Sequence, residues 1–184
     1  MNQNAIEVPV SWHPPELLEA LAELAIGCAA VVEIGSWLGH TAIAMAKSAG
    51  VSGGRVFCVD HWRGSRNGTG RVDDPLDLYL RFWGNVQAAG LAYCIVPIFE
   101  RSETAYPLFA QRPIDLLFID GDHAYDAVYA DLKNWTPLVR AGGVVCGDDY
   151  GEGGPHQAFD NYFQLALGRN VETRANGRLA MVRV

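Results

Sequence analysis

The chain has 184 residues, 49% hydrophobic and 19% charged, which fits one globular domain (residues 1–184) with its own core and excludes a disordered or fibrous protein. Lys and Arg number 14 against 21 Asp and Glu, and the net charge of −7 argues against a broad phosphate-binding face and a nucleic-acid partner. No apolar stretch is long enough to span a bilayer, so no membrane partner is expected, and "MNQNAIEVPVSW" lacks the basic-then-apolar pattern of a signal peptide. The four cysteines, Cys28, Cys58, Cys94 and Cys146, have no CxxC spacing and read as buried reduced thiols of a cytoplasmic protein.

In chain order, "PPELLEALAELA" opens with prolines, a favourable helix start. "AVVEIG" (Ala30–Gly35) is a short apolar run rich in β-branched residues, as expected of a strand covered on both faces. "HTAIAMAKSAG" reads as a helix stopped by Gly50, and "RVFCVD" (Arg55–Asp60) as a second strand. "DPLDLYLRFWGNVQAAG" has Asp74 as its cap and Pro75 at the first helical position. "YCIVPIF" (Tyr93–Phe99) is a third strand, followed by "SETAYPLFAQ", with Ser102 as cap and Pro107 limiting its length. "IDLLFID" (Ile114–Asp120) and "GGVVCGD" (Gly142–Asp148) are further strands around the helical "HAYDAVYADLKNWTPLVRAGG", in which Tyr125 and Trp135 are expected to pack against the sheet. After the helical "PHQAFDNYFQLALG", "VETRANGRLAMVRV" reads as two strands around Asn176-Gly177, a hairpin signal. Alternating strands and helices predict an α/β, doubly wound, mostly parallel sheet that ends in a C-terminal antiparallel hairpin. Ligands of such a sheet bind at the carboxyl ends of its strands.

Those ends carry the chemistry. Gly35 and Gly39 in "EIGSWLGHT" permit a tight turn and close approach of a ligand, although GxxxG is not the dinucleotide fingerprint and is also found in ordinary strand-to-helix turns. Asp60 ends the second strand and is placed either to accept hydrogen bonds from a ribose or to sit in a solvated turn. Asp120, Asp148 and Asp149 end the fourth and fifth strands. They are either separate solvated residues or oxygen ligands of a divalent cation such as Mg²⁺, Ca²⁺ or Mn²⁺.

Together these stretches resemble the class I S-adenosylmethionine-dependent methyltransferases. "EIGSWLGHT" is similar to the first cofactor motif of the catechol and caffeoyl-CoA O-methyltransferases, and "VD" at Val59-Asp60 to their ribose-binding acid. The long motif "FIDGDHAYDAVYADLKNWTPLVRAGGVVCGDDY" resembles their metal-bearing half, and more closely that of the bacterial macrocin and cephalosporin-type enzymes that modify sugars and antibiotics. The resemblance runs from about Leu17 to Phe163 and implies a Rossmann-like fold of seven strands with the last one antiparallel.

It further implies S-adenosylmethionine as cofactor. Glu33, Gly35, Ser36, Gly39 and Thr41 would form the pocket for its methionine part, Asp60 would bind the ribose, His61 and Trp62 would lie beside the adenosine, and Ser102 would meet the adenine edge. Asp120, at the cofactor's edge, would hold Mg²⁺ with Asp148 and Asp149, and Asp122 or His123 would act as the catalytic base. The same two residues are open to another reading, His123 beginning a helix and Asp122 capping it. The expected activity is metal-assisted O-methylation of a small hydroxylated molecule, a sugar or a phenol, and a homodimer would fit the family. The loop "HWRGSRNGTGRVDD", with Arg63, Arg66 and Arg71, and the rim at Tyr150 and His156 are expected near the substrate, or else as solvated surface. A cofactor-binding domain without activity is the second reading, disfavoured by the three acids. An NAD-dependent reductase is the third, disfavoured by the GxxxG spacing and the lack of a Tyr-x-x-x-Lys pair.

Overall fold

A computed structural model describes residues 13–64, 74–151 and 153–184. Its strands are β1 (Ala30–Ile34), β2 (Arg55–Asp60), β3 (Ile95–Phe99), β4 (Ile114–Ile119), β5 (Val139–Gly147), β6 (Glu172–Arg174) and β7 (Leu179–Arg183). They form one sheet in the order β3-β2-β1-β4-β5-β7-β6. The first five run parallel, and β7 pairs antiparallel with both β5 and β6. This is the predicted doubly wound sheet with its terminal hairpin. The strand order reverses between β1 and β4, and such a switch point opens a crevice at the carboxyl ends.

The helices are α1 (Pro15–Leu24), α2 (His40–Ala49), α3 (Pro75–Ala88), α4 (Ser102–Ala105), α5 (Tyr125–Trp135) and α6 (Gly153–Phe159), the last running on into a π-helical stretch over Asp160–Ala166. Alternate strand residues feed two cores. Val31, Val56, Cys58 and Phe118 pack with Leu17, Leu21, Met45 and Phe82 of α1, α2 and α3. Val32, Ile34, Val59 and Ile119 pack on the other face with Leu132, Trp135, Phe159 and Phe163. Burial on both faces explains why β1 is apolar throughout apart from Glu33. Cys58, Cys94 and Cys146 are buried and Cys28 is half-buried, all four as free thiols. No helix among the described residues is long and apolar enough to cross a membrane.

Local chemistry sets several boundaries. Asp74 caps α3 as predicted, its carboxylate accepting from the Leu76 amide at 2.9 Å. Ser102 does not cap α4; Arg101 holds that position, and the Ser102 hydroxyl turns to Asp131 instead. Gly50 is not the left-handed stop of α2: its φ is −62°, the chain continues through a 3₁₀ turn, and Gly53 at φ 79° ends it. The hairpin is looser than a two-residue Asn-Gly turn. Arg174 pairs with Leu179, which leaves residues 175–178 as the loop, with Ala175, Asn176 and Gly177 all at positive φ.

Gly35 determines how β1 meets β4. Its φ is +85°, and a Cβ there would lie 2.2 Å from the Asp120 carbonyl oxygen and 2.6 Å from Gly121 Cα. Both contacts are with backbone, which has no rotamer to move aside. Gly35→Ala is expected to destabilise the fold by about 2–4 kcal/mol in urea denaturation, with the m-value unchanged.

Candidate functional site

A cavity of about 400 Å³ opens at the carboxyl ends of β1, β2, β4 and β5. That volume lies within the range of small-molecule sites. Of the residues singled out from the sequence, Gly35, Ser36, Gly39, Thr41, Asp60, His61, Ser102, Asp120, Asp122, His123, Asp148 and Asp149 line it. Glu33 and Trp62 do not.

One end is organised by Asp60. Its Oδ2 accepts from the Ser36 and Trp37 amides at 3.0 and 2.9 Å, and Oδ1 accepts from the Trp62 amide at 2.6 Å. The carboxylate therefore ties the glycine loop to the end of β2. A carboxylate has about four acceptor positions, so Oδ1 keeps one for a ligand. Trp37 and Trp62 adopt φ of 46° and 48°, a costly conformation for bulky side chains that this network holds in place.

The turn at Trp62 sends its ring inward. It is fully buried against Tyr79, Phe82 and Phe99, and its Nε1 donates to the Trp37 carbonyl at 3.0 Å. Of the two residues expected beside an adenosine, His61 lines the cavity and Trp62 does not. Glu33 lies inside β1, fully buried, and neither carboxyl oxygen has a hydrogen-bond partner among the described residues. Burial pushes its pKa up to about 7, and the nearby Ser36 and Thr41 hydroxyls offset this only in part. Glu33 thus supports the pocket wall without facing the cavity.

Sequence reasoning missed Asp131. It lies on α5, is 6% exposed, lines the cavity and accepts a 2.5 Å hydrogen bond from the Ser102 hydroxyl. Burial drives its pKa up to about 7 against the pull of Ser102, and the charges of Glu103 and Asp122 add to the rise. Nothing in the local pattern separates it from the solvated acids of an amphipathic helix. Only the packing of α4 on α5 brings it to Ser102.

At the other end the three acids converge on His123, which the sequence reading placed here, and on His13 and Arg178, which it did not assign. His13 Nε2 lies 2.9 Å from Asp120 Oδ2 and 3.6 Å from Asp148 Oδ2. Arg178 Nε and Nη2 donate to the two Asp148 oxygens at 2.7 and 2.6 Å, and Nη2 is 2.9 Å from Asp149 Oδ1. His123 Nδ1 is 2.9 Å from Asp149 Oδ2, with Nε2 3.8 Å from Asp120 Oδ1.

Burial and the Asp148 charge raise the Asp120 pKa, while the His123 hydrogen bond leads in lowering that of Asp149. The Asp149 hydrogen bond raises the His123 pKa. Burial opposes charge on His13, but its bond to Asp120 and the charges of Asp120 and Asp148 prevail, and its pKa is also raised. Asp149 sits at φ 53°, so this rim too carries a non-glycine residue in the left-handed region.

Asp122 does not cap α5. Ala124 holds the N-cap position, and Asp122 Oδ1 accepts from the Ala124 amide at 3.0 Å, which turns the chain into the helix. His123 precedes the helix and faces the cavity. Tyr150 and His156 stack with ring centroids 4.6 Å apart, and both bond Asp160, so this rim is held away from the cavity. Arg66 and Arg71 lie outside the described residues; the Arg63 amide donates to His61 Nδ1 at 3.0 Å.

A family model described as "Methyltransferase domain" matches residues 32–150, from β1 through the acid pair. Among solved structures, the O-methyltransferase NovP superposes with a TM-score of 0.70 at 20% identity, covering 91% of this chain and 79% of that one. An O-methyltransferase from Bacillus cereus in complex with SAH gives a TM-score of 0.65 at 20% identity, covering 95% and 82%. Among curated proteins, the uncharacterized protein R132 of Acanthamoeba polyphaga mimivirus is 39% identical over 54 residues, 28% of this chain and 24% of that protein. The match therefore spans about a quarter of that relative's length.

The raised pKa of Asp131 makes stability depend on pH. Its native pKa of about 7 lies above the ordinary 3.8, so the native state holds the proton more tightly than the unfolded chain. The stabilisation is complete below about pH 4 and is lost as pH rises through about 7. Asp131→Asn is expected to remove a loss on the order of 3 kcal/mol between pH 4 and pH 8, read from urea denaturation of the two proteins across that range.

Proposed function

The chain belongs to the methyltransferase-domain family, and from that premise we propose that it transfers a methyl group from S-adenosylmethionine to a hydroxyl of a small molecule, a sugar or a phenol. One observation carries the reading: a single cavity joins the Asp60-tied glycine loop to the Asp120, Asp148 and Asp149 cluster. The first is built to hold a nucleoside and an amino-acid group, the second to hold and deprotonate an acceptor. The SAH complex of the Bacillus cereus protein and the O-methyltransferase activity named for NovP support it by fold likeness.

Within the cavity, the free acceptor position of Asp60 Oδ1 suits a ribose hydroxyl, and His61 flanks the nucleoside. Ser102, held by Asp131, presents its hydroxyl oxygen as an acceptor toward the adenine edge. Ser36 and Thr41 line the part that the methionine moiety would fill. The sulfonium supplies an electrophilic methyl carbon. An acceptor oxygen attacks it in line, the carbon–sulfur bond breaks with its electrons passing to sulfur, and the hydroxyl proton leaves to a base.

His123 is the better placed base. Its Nδ1 is held by Asp149, which fixes the ring, and Nε2 is left toward Asp120 and the cavity. Asp122 is engaged with the Ala124 amide.

The family resemblance implies a divalent cation, Mg²⁺ for preference, on Asp120, Asp148 and Asp149. Two of these acids fit such an ion, because Asp120 and Asp148 offer atoms within 4.8 Å of one another together with His13, whereas Asp149 is outside that group and engaged by His123 and Arg178. Such an ion would lower the pKa of a coordinated hydroxyl and fix its orientation. Both Asp148 oxygens already accept from Arg178, so an ion there would meet the arginine's positive charge. The four free cysteines support a cytoplasmic setting.

Methyl transfer is tested with labelled S-adenosylmethionine and a panel of vicinal diols and phenols. The expected outcome is transfer to at least one, reduced about 100-fold or more in kcat by His123→Gln and far less by Asp122→Asn. Larger loss in the Asp122 variant would reverse the assignment of the base. No transfer to any acceptor, in a protein that does not bind S-adenosylmethionine, would remove the reading altogether.

A further inference from the structure

Arg178 has no part in the transfer just described, yet it makes the strongest contacts in the acid cluster. It lies in the loop between β6 and β7, and the pairing of Gly147 with Ala180 and of Cys146 with Met181 brings that loop beside the end of β5. Its guanidinium takes both oxygens of Asp148 in a fork at 2.7 and 2.6 Å and reaches Asp149 at 2.9 Å. The Asp148 side chain is 2% exposed while that of Arg178 is 35% exposed, so the arginine lies between the buried carboxylate and solvent. A planar fork satisfying both oxygens of a buried carboxylate is the strongest form of charge-assisted hydrogen bond. A divalent ion on Asp148 would need the same oxygens.

We propose that Arg178 is a built-in competitor for the divalent cation: it neutralises Asp148 and Asp149 from the hairpin loop and must be withdrawn before a divalent ion can bind. The proposal rests on the reading of Asp120, Asp148 and Asp149 as cation ligands. Its consequence is that ion binding is coupled to movement of the hairpin loop. Ala175, Asn176 and Gly177 in that loop occupy the left-handed region, next to Arg178 in sequence. His13 lies 2.9 Å from Asp120 and His123 2.9 Å from Asp149, and Arg178 is the group that holds both oxygens of Asp148.

The test is calorimetric titration of Mg²⁺ and Mn²⁺ into the wild type, Arg178→Met, Arg178→Lys and Arg178→Met/Asp148→Asn, each shown folded by circular dichroism. Arg178→Met is expected to bind about 10-fold or more tightly than the wild type, with Arg178→Lys between them and no binding in the double variant. Equal affinity in wild type and Arg178→Met, or binding in neither, would overturn the proposal. Should the variants fail to fold, NMR of the wild type decides: the Arg178 Nε–H signal is expected to be protected from exchange and to lose that protection on saturation with Mg²⁺. Protection that persists at saturation would overturn it. S-adenosylhomocysteine binding in the same samples without added metal separates the two levels, because its loss would count against the methyltransferase reading and leave the competition result standing.

Discussion

The contact of Gly35 with the backbone of Asp120 and Gly121 is the constraint on which the site depends. It joins β1 to β4 at the point where the strand order reverses. No side chain fits there, and the glycine loop after β1 and the acids after β4 and β5 line the same cavity. Asp60 reinforces this from β2 by accepting the Ser36 and Trp37 amides of the loop and the Trp62 amide beyond its own strand. Trp37, Trp62 and Asp149, all at positive φ, mark the rim where the backbone is bent to make room.

Two kinds of acid surround the cavity, Glu33 and Asp131 on one hand and Asp148 and Asp149 on the other, all buried except the half-buried Asp149. Glu33 and Asp131 have no cation nearby strong enough to offset burial, and both titrate at about 7. Near neutrality each carries a proton for part of the time, a state in which a carboxyl group can donate as well as accept. Asp148 and Asp149 instead face Arg178 and His123, and the Asp149 pKa falls. The first kind shapes the wall of the proposed cofactor pocket, the second the proposed acceptor site.

Much of this was legible in the chain. Short β-branched runs located the five parallel strands, and Asn176-Gly177 located the hairpin, because both signals are local. The acids at the strand ends followed from the fold class. What escaped depends on distant pairing. Arg178 is an ordinary turn arginine until β7 pairs with β5, His13 is an isolated residue before α1, and Asp131 looks like any polar position of α5. Trp62 misled for the opposite reason: its neighbour Asp60 faces the cavity, but a positive φ turns the indole into the core. Ser102 looked like a cap and instead found a buried partner 29 residues away.

The central claim is that this cavity holds the methyl donor, and it is tested most directly by titrating S-adenosylhomocysteine into the wild-type protein in a calorimeter. A one-to-one heat with a dissociation constant on the order of micromolar is the expected result, corresponding to about −8 kcal/mol. No heat at millimolar ligand from a folded protein would contradict it, and the Asp60 loop and the acid cluster would then need another ligand.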